Sequence, residues 1–146
     1  MPFEVWTPPK GGWPAGLWDV PYVGSAIPGT TDPASWTDGS NCQRFAYGLL
    51  GLFGLGCPPL RSSDLWDDTA ATIRAEEPRP LDLVLFNSGQ RSYGAHVGVW
   101  MAPDEILHLC AEVGRPTVWP DLEFSKRDRY STLIGYKRVI RTSDRT

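Results

Sequence analysis

The chain lacks any apolar run long enough to span a membrane. Its most apolar stretch, Leu49 to Leu55, is short and broken by glycines. The opening residues, MPFEVWTPPKGGWP, lack a positive segment followed by an apolar core, so they do not read as a signal peptide. The compartment stays open on this reading: cytoplasmic, or exported by an unseen route. There is no glycine-rich phosphate loop, no HExxH and no GxSxG. Charge is scarce as well. Fourteen basic against seventeen acidic residues leave a net charge of −3, and the basic residues are scattered, so no strong field favours nucleic acid or an anionic membrane. The one dense basic group, Lys126, Arg127 and Arg129, alternates with Asp128. Cysteines number three, an odd count that leaves at least one thiol free or externally bonded and argues against a disulfide-built domain. Histidines number only two.

What is present fits one folded domain of 146 residues, 41% apolar and 21% charged. Residues 1–39 are rich in Pro, Gly, Thr, Ser and Trp and hold no sustained period. They are expected to form an ordered, irregular arm of the same domain, because Trp6, Trp13, Trp18 and Trp36 favour burial over a disordered tail. A catalytic domain is expected over 40–142, with 143–146 as a tail. Phe45, Ala46, Leu49, Leu50 and Phe53 follow one helical face, with Asp38, Ser40 and Asn41 as candidate N-caps and Gly54, Gly56 and Pro58-Pro59 as stops. A short helix is expected around Ser63 to Arg74. Strands are expected at Leu81–Phe86, His96–Met101, Glu105–Val113, Thr117–Trp119 and Leu133–Ile140, joined by short turns such as Pro103-Asp104. A helix followed by an antiparallel meander predicts an α+β fold with the helix packed on one sheet face.

Cys42 falls in the first turn of the expected helix, where unpaired N–H groups and the dipole favour a thiolate. Cys57 and Cys110 have no such setting and read as ordinary apolar residues. His96 opens one strand and His108 lies twelve residues on in the next, so a tight hairpin would make them neighbours. A nucleophile needs a base within hydrogen-bond reach, and the base needs a group to hold its ring. Cys42, His96 and His108 supply those roles in that order, and no cofactor is required. A Cys2His2 zinc set from Cys42, His96, His108 and Cys110 is the metal alternative. It is disfavoured because structural zinc sites use close CxxC or HxxxH pairs and none is present; no metal is therefore expected.

These residues resemble the NlpC-type cell-wall peptidases, which have a papain-like fold. The likeness runs through Asn41-Cys42-Gln43-Arg44, Leu81-Asp82-Leu83-Val84-Leu85-Phe86, His96-Val97-Gly98-Val99-Trp100, Leu107-His108 and the closing Leu133-Ile134-Gly135-Tyr136-Lys137-Arg138-Val139. It implies that Cys42 attacks an amide carbonyl, that His96 moves its proton and that His108 orients His96. It implies a peptide or muropeptide substrate cleaved at a γ-D-glutamyl to diamino-acid bond by a monomeric enzyme, with Tyr22 and the Cys42 N–H near the oxyanion. Asn41 and Gln43 stand where the family's groove-lining Asp and Ser stand, so substrate preference departs from the family's. Three other readings compete. One is a CHAP-type amidase using Glu112 as the third residue. Another is a deamidase, transamidase or acyltransferase on the same triad, and the last is a binding module that has kept the fold.

Overall fold

The computed structural model describes residues 6–29 and 33–141. The first five residues and the expected tail at 143–146 lie outside them. The architecture is α+β. Helix α1 spans Cys42–Leu52, α2 Ser62–Asp67 and α3 Asp121–Ser125. Six strands, β1 (Thr72–Ala75), β2 (Asp82–Asn87), β3 (His96–Ala102), β4 (Glu105–His108), β5 (Thr117–Trp119) and β6 (Thr132–Val139), form one antiparallel sheet in the order β1-β6-β2-β3-β4-β5. Among the described residues no helix is long and apolar enough to cross a membrane.

The meander expected from the sequence covers β2 to β5. The closing strand does not extend it: β6 returns to the far side of β2 and separates it from β1. Two further expectations are corrected and one element is new. The helix near Ser63–Arg74 stops at Asp67, because the Asp68 carboxylate takes the N–H groups of Ala71 and Thr72 at 2.9 and 2.8 Å and turns the chain into β1. The strand from Glu105 ends at His108 rather than Val113, as Gly114 N–H closes a turn onto the Cys110 carbonyl. Helix α3, for which the sequence reading made no provision, follows Pro120 with Asp121 and Glu123 in its first turn.

Alternation along the strands divides the sheet into two apolar faces. Leu83, Leu85, Val97, Val99 and Leu107 pack with Phe45, Ala46, Leu49 and Leu50 of α1. Trp6, Leu17, Val20 and Trp36 join that same core, and Trp13 and Trp18 pack at its edge. On the opposite face Val84, Phe86, Ile106 and Cys110 meet Trp119, Phe124 and Tyr130. Of the candidate caps it is Asn41 that caps α1, its Oδ1 accepting the Arg44 N–H at 2.8 Å; such a cap contributes about 1 kcal/mol. Arg44 then reaches back to Ser35 Oγ at 2.7 Å, tying the helix start to the segment before it.

Gly48 on α1 tests this packing. Alanine in a helix interior normally stabilises by about 1 kcal/mol relative to glycine. Here a Cβ would lie 2.2 Å from the indole of Trp36. Gly48→Ala is therefore expected to destabilise by about 1–3 kcal/mol in urea unfolding. A gain in stability would mean that Trp36 does not rest on this helix face.

Candidate active site

The site forms where the start of α1 meets the start of β3. Segment 21–26 runs beside the helix entry: Val23 N–H bonds to Ser40 O at 2.9 Å, Ser40 N–H to Pro21 O at 3.1 Å and Asn41 N–H to Ala26 O at 2.9 Å. Cys42 thus enters α1 from a braced backbone. It is half-buried, so solvent still reaches part of it, yet the packing around it is dense. Burial pushes its thiol pKa up. The backbone N–H groups of Val97, Gln43 and Cys42 itself, and the charge of Arg61, work against that rise. Val97 follows His96 directly, so this contact puts the thiol beside the strand that carries the first histidine. The helix start does favour the thiolate, as the sequence implies, but desolvation outweighs it in the resting site.

The two histidines meet across the β3–β4 hairpin. The register pairs Val99 with Leu107 and Trp100 with Ile106, and its continuation sets His108 opposite Gly98. His96 and His108 are then diagonal neighbours on one face. Gly98 keeps that diagonal open: a Cβ there would lie 2.8 Å from Ile106 Cγ2 and 3.2 Å from His108 Cβ. The result is a 2.8 Å hydrogen bond between His96 Nε2 and His108 Nδ1. The pair sits among aromatic rings. Tyr130 lies 4.6 Å from the His96 ring, and Trp119 and Phe124 lie 4.4 and 4.6 Å from that of His108, centroid to centroid.

This setting fixes the protonation. Burial holds His96 down to about 3, aided by the charge of Arg129. Burial, the His96 charge and the Arg127 charge lower His108 well below its ordinary value. Both rings are therefore neutral at pH 7, and one proton lies in the bond between them. For His96 to serve as a base through Nδ1, it must donate from Nε2 to His108 Nδ1. His108 then carries its remaining proton on Nε2, a buried atom with no hydrogen-bond partner among the described residues.

The other sequence candidates fall as follows. Tyr22 forms a bridge with Ser40, and the charge of a Cys42 thiolate, after burial, helps raise its phenol pKa, so the two side chains share one neighbourhood. Asn41 is buried with its Oδ1 engaged by the helix cap. Gln43 is buried, and its Oε1 has no hydrogen-bond partner among the described residues. Glu112 instead binds Arg127, at 2.7 Å from Nη2, and is not the partner of His96. Among the described residues, no group of three or more His, Cys, Asp or Glu side chains gathers as for a metal ion. The sequence reading did not include Tyr130, Trp119 and Phe124, the rings around the histidines. The acidic start of α3 after Pro120 was the available signal for the last of these.

No protein-family model matches the chain, and no curated protein matches it. Solved structures do. A NlpC/P60 family protein from Bacillus cereus superposes with a TM-score of 0.54 at 16% identity, over 70% of this chain and 32% of that one. A Staphylococcus aureus protein described as similar to lipoprotein, NLP/P60 family, superposes with a TM-score of 0.53 at 25% identity, over 86% of this chain and 38% of that one. The chain thus spans about a third of the length of these structures. Its α+β architecture, with six antiparallel strands and a few helices, is consistent with a NlpC/P60-like fold.

Burial of His96 gives stability a definite dependence on pH. Its ordinary value is 6.5 and its folded value about 3, so between these limits the unfolded chain binds a proton that folded His96 does not. The stabilisation is complete above about pH 6.5 and is lost as pH falls through this window. From pH 6.5 to 5 the loss from His96 is about 2 kcal/mol, and His108 acts with the same sign. Urea unfolding at the two pH values should show a loss larger in wild type than in His96→Gln by about that amount. Equal losses would mean that His96 is solvated.

Proposed function

We propose that this chain is a cysteine hydrolase that cleaves an amide bond through a thioester, in the manner of NlpC-type cell-wall peptidases. Cys42 is the nucleophile, His96 its base and His108 the residue that orients His96. The observation that carries the reading is the 2.8 Å His96–His108 bond, on a strand whose Val97 N–H meets the Cys42 thiol. In the resting site thiol and imidazole are both neutral, so the proton moves as sulfur attacks. Cys42 Sγ bonds to the carbonyl carbon while its proton passes to His96 Nδ1, and the imidazolium is held through Nε2 by His108. His96 then protonates the leaving amine, and water, activated by the same ring, hydrolyses the thioester. The Cys42 N–H and the Tyr22 hydroxyl are the proposed oxyanion donors. The preferred bond is that between γ-D-glutamyl and a diamino acid. We read residues 1–39 as part of the same domain as the catalytic residues 40–142; the core that Trp6, Leu17, Val20 and Trp36 share with α1 supports this for the described residues.

The test joins alkylation to turnover. Iodoacetamide should label Cys42 ahead of Cys57 and Cys110 at pH 7, and His96→Ala should slow that labelling. On muropeptides, Cys42→Ala should abolish hydrolysis and His108→Ala should lower kcat by about 10-fold to 1,000-fold. Because His96 stays unprotonated down to about pH 3, the acid limb of kcat/KM should lie well below 6.5. Labelling of Cys42 that is no faster than that of the other two thiols and indifferent to His96, together with no hydrolysis, would sink the proposal in favour of a binding module.

A further inference from the structure

Arg127 sits at the junction of the three rings that wall the histidines. Its guanidinium carbon lies 3.9 Å from the centre of the Trp119 ring. Its backbone N–H donates to the Phe124 carbonyl at 3.1 Å, and its own carbonyl accepts the Tyr130 N–H at 3.0 Å. Trp119 and Phe124 in turn lie 4.4 and 4.6 Å from the His108 ring, and Tyr130 lies 4.6 Å from that of His96. His108 depends on these neighbours. Among the described residues its ring makes one hydrogen bond, to His96, and its buried Nε2 makes none. A single bond leaves the ring free to turn about it, so packing must supply the rest of its orientation.

The arginine is itself held from two directions. Its Nε and Nη2 donate to the two oxygens of Glu112 at 2.9 and 2.7 Å, a bidentate pair. Its Nη1 donates to the Glu123 carbonyl at 2.6 Å and to the Glu123 carboxylate at 3.3 Å. Glu123 lies in α3, and Glu112 lies between β4 and β5, shortly after His108. The network therefore ties the segment carrying Phe124 and Tyr130 to the one that leaves His108. Its groups are partly exposed, so its yield in stability is small. What a planar fork of donors supplies is orientation, because two carboxylates and the indole must be met at once.

We propose that Arg127 is a positioning residue for His108: pinned by Glu112 and Glu123, it holds Trp119 and the end of α3 against the imidazole and so keeps that ring in line with His96. The guanidinium charge also opposes a charge on His108, which leaves the Nδ1 lone pair free to accept from His96. This rests on the hydrolase reading above for its effect on turnover, but not for its effect on the histidine pair.

The test reads the clamp both at the histidines and in turnover. With isotope-labelled histidine, NMR of wild type at pH 7 should show an imidazole N–H resonance from the His96–His108 bond, lost in His96→Gln. In Arg127→Gln that N–H should exchange with solvent about 10-fold faster, while the backbone amides of β3 and β4 keep their protection. On muropeptides the same variant should lose about 10-fold in kcat, with KM changed by less than about 2-fold. Arg127→Lys, which keeps the charge without the planar fork, should recover only part of the loss. Glu112→Gln, which releases one side of the clamp, should fall between wild type and Arg127→Gln. In a His108→Ala background Arg127→Gln should cost no further kcat, because its effect passes through that ring. An N–H exchange rate equal in wild type and Arg127→Gln would overturn the proposal, as would absence of the resonance in wild type. Complete rescue by lysine, or the same kcat loss with His108 already removed, would overturn it too. Failure of the hydrolase reading shows instead as no turnover in any variant, and the exchange rates still judge the clamp.

Discussion

The His96–His108 hydrogen bond is the constraint around which the site is built. Two imidazoles bonded Nε2 to Nδ1 at 2.8 Å in a pocket walled by Trp119, Phe124 and Tyr130 cannot both charge. Their register across β3 and β4 must therefore hold closely. Gly98 and the short turn at Pro103-Asp104 set that register, Asp104 taking φ 60° to make the reversal. A side chain at position 98 would drive β4 away and part the rings. The sheet face on this side serves the histidines, while the other face serves α1.

That division places Cys42, packed against the core under α1, and the two histidines on different layers of the fold. Helix α1 packs on the face bearing Val97 and Val99, and the histidines occupy the reverse. The Val97 backbone N–H, one residue past His96, is among the groups that hold the Cys42 thiol pKa down against burial. The helix entry is held there by Asn41 and by the bonds from segment 21–26 rather than by the histidines. Cys42 and His96 are thus positioned by separate frameworks, the braced helix entry and the β3–β4 hairpin.

Much of this arrangement could be read from the residues. The α1 face and its Asn41 cap follow from helical spacing and N-cap chemistry, and the histidine pair follows from a twelve-residue separation across a tight turn. The position of β6 could not be read, because order along the chain says nothing of which edge a returning strand joins. Lys137 adds to the difficulty: a lysine suggests an exposed face, yet it is buried, with Nζ bonded to the Trp66 and Asp68 carbonyls at 3.3 and 2.5 Å. Strand β1 was hidden because Asp68 ends α2 by capturing the next N–H groups, a tertiary choice that a helical pattern through Arg74 does not reveal.

The electrostatics of the site follow from dryness more than from any single charge. Desolvation raises Cys42 and lowers His96, so both of the opposed shifts keep the pair neutral at rest. On the proposed mechanism a thiol–imidazole pair of that kind gains its ion-pair character only as the sulfur attacks an electrophile. The backbone N–H groups around Cys42 and the second ring at His108 are already in place for that moment and need no rearrangement. On the proposed mechanism such a site stabilises the charges of the reaction more than those of the free thiol, which is the difference on which catalysis depends.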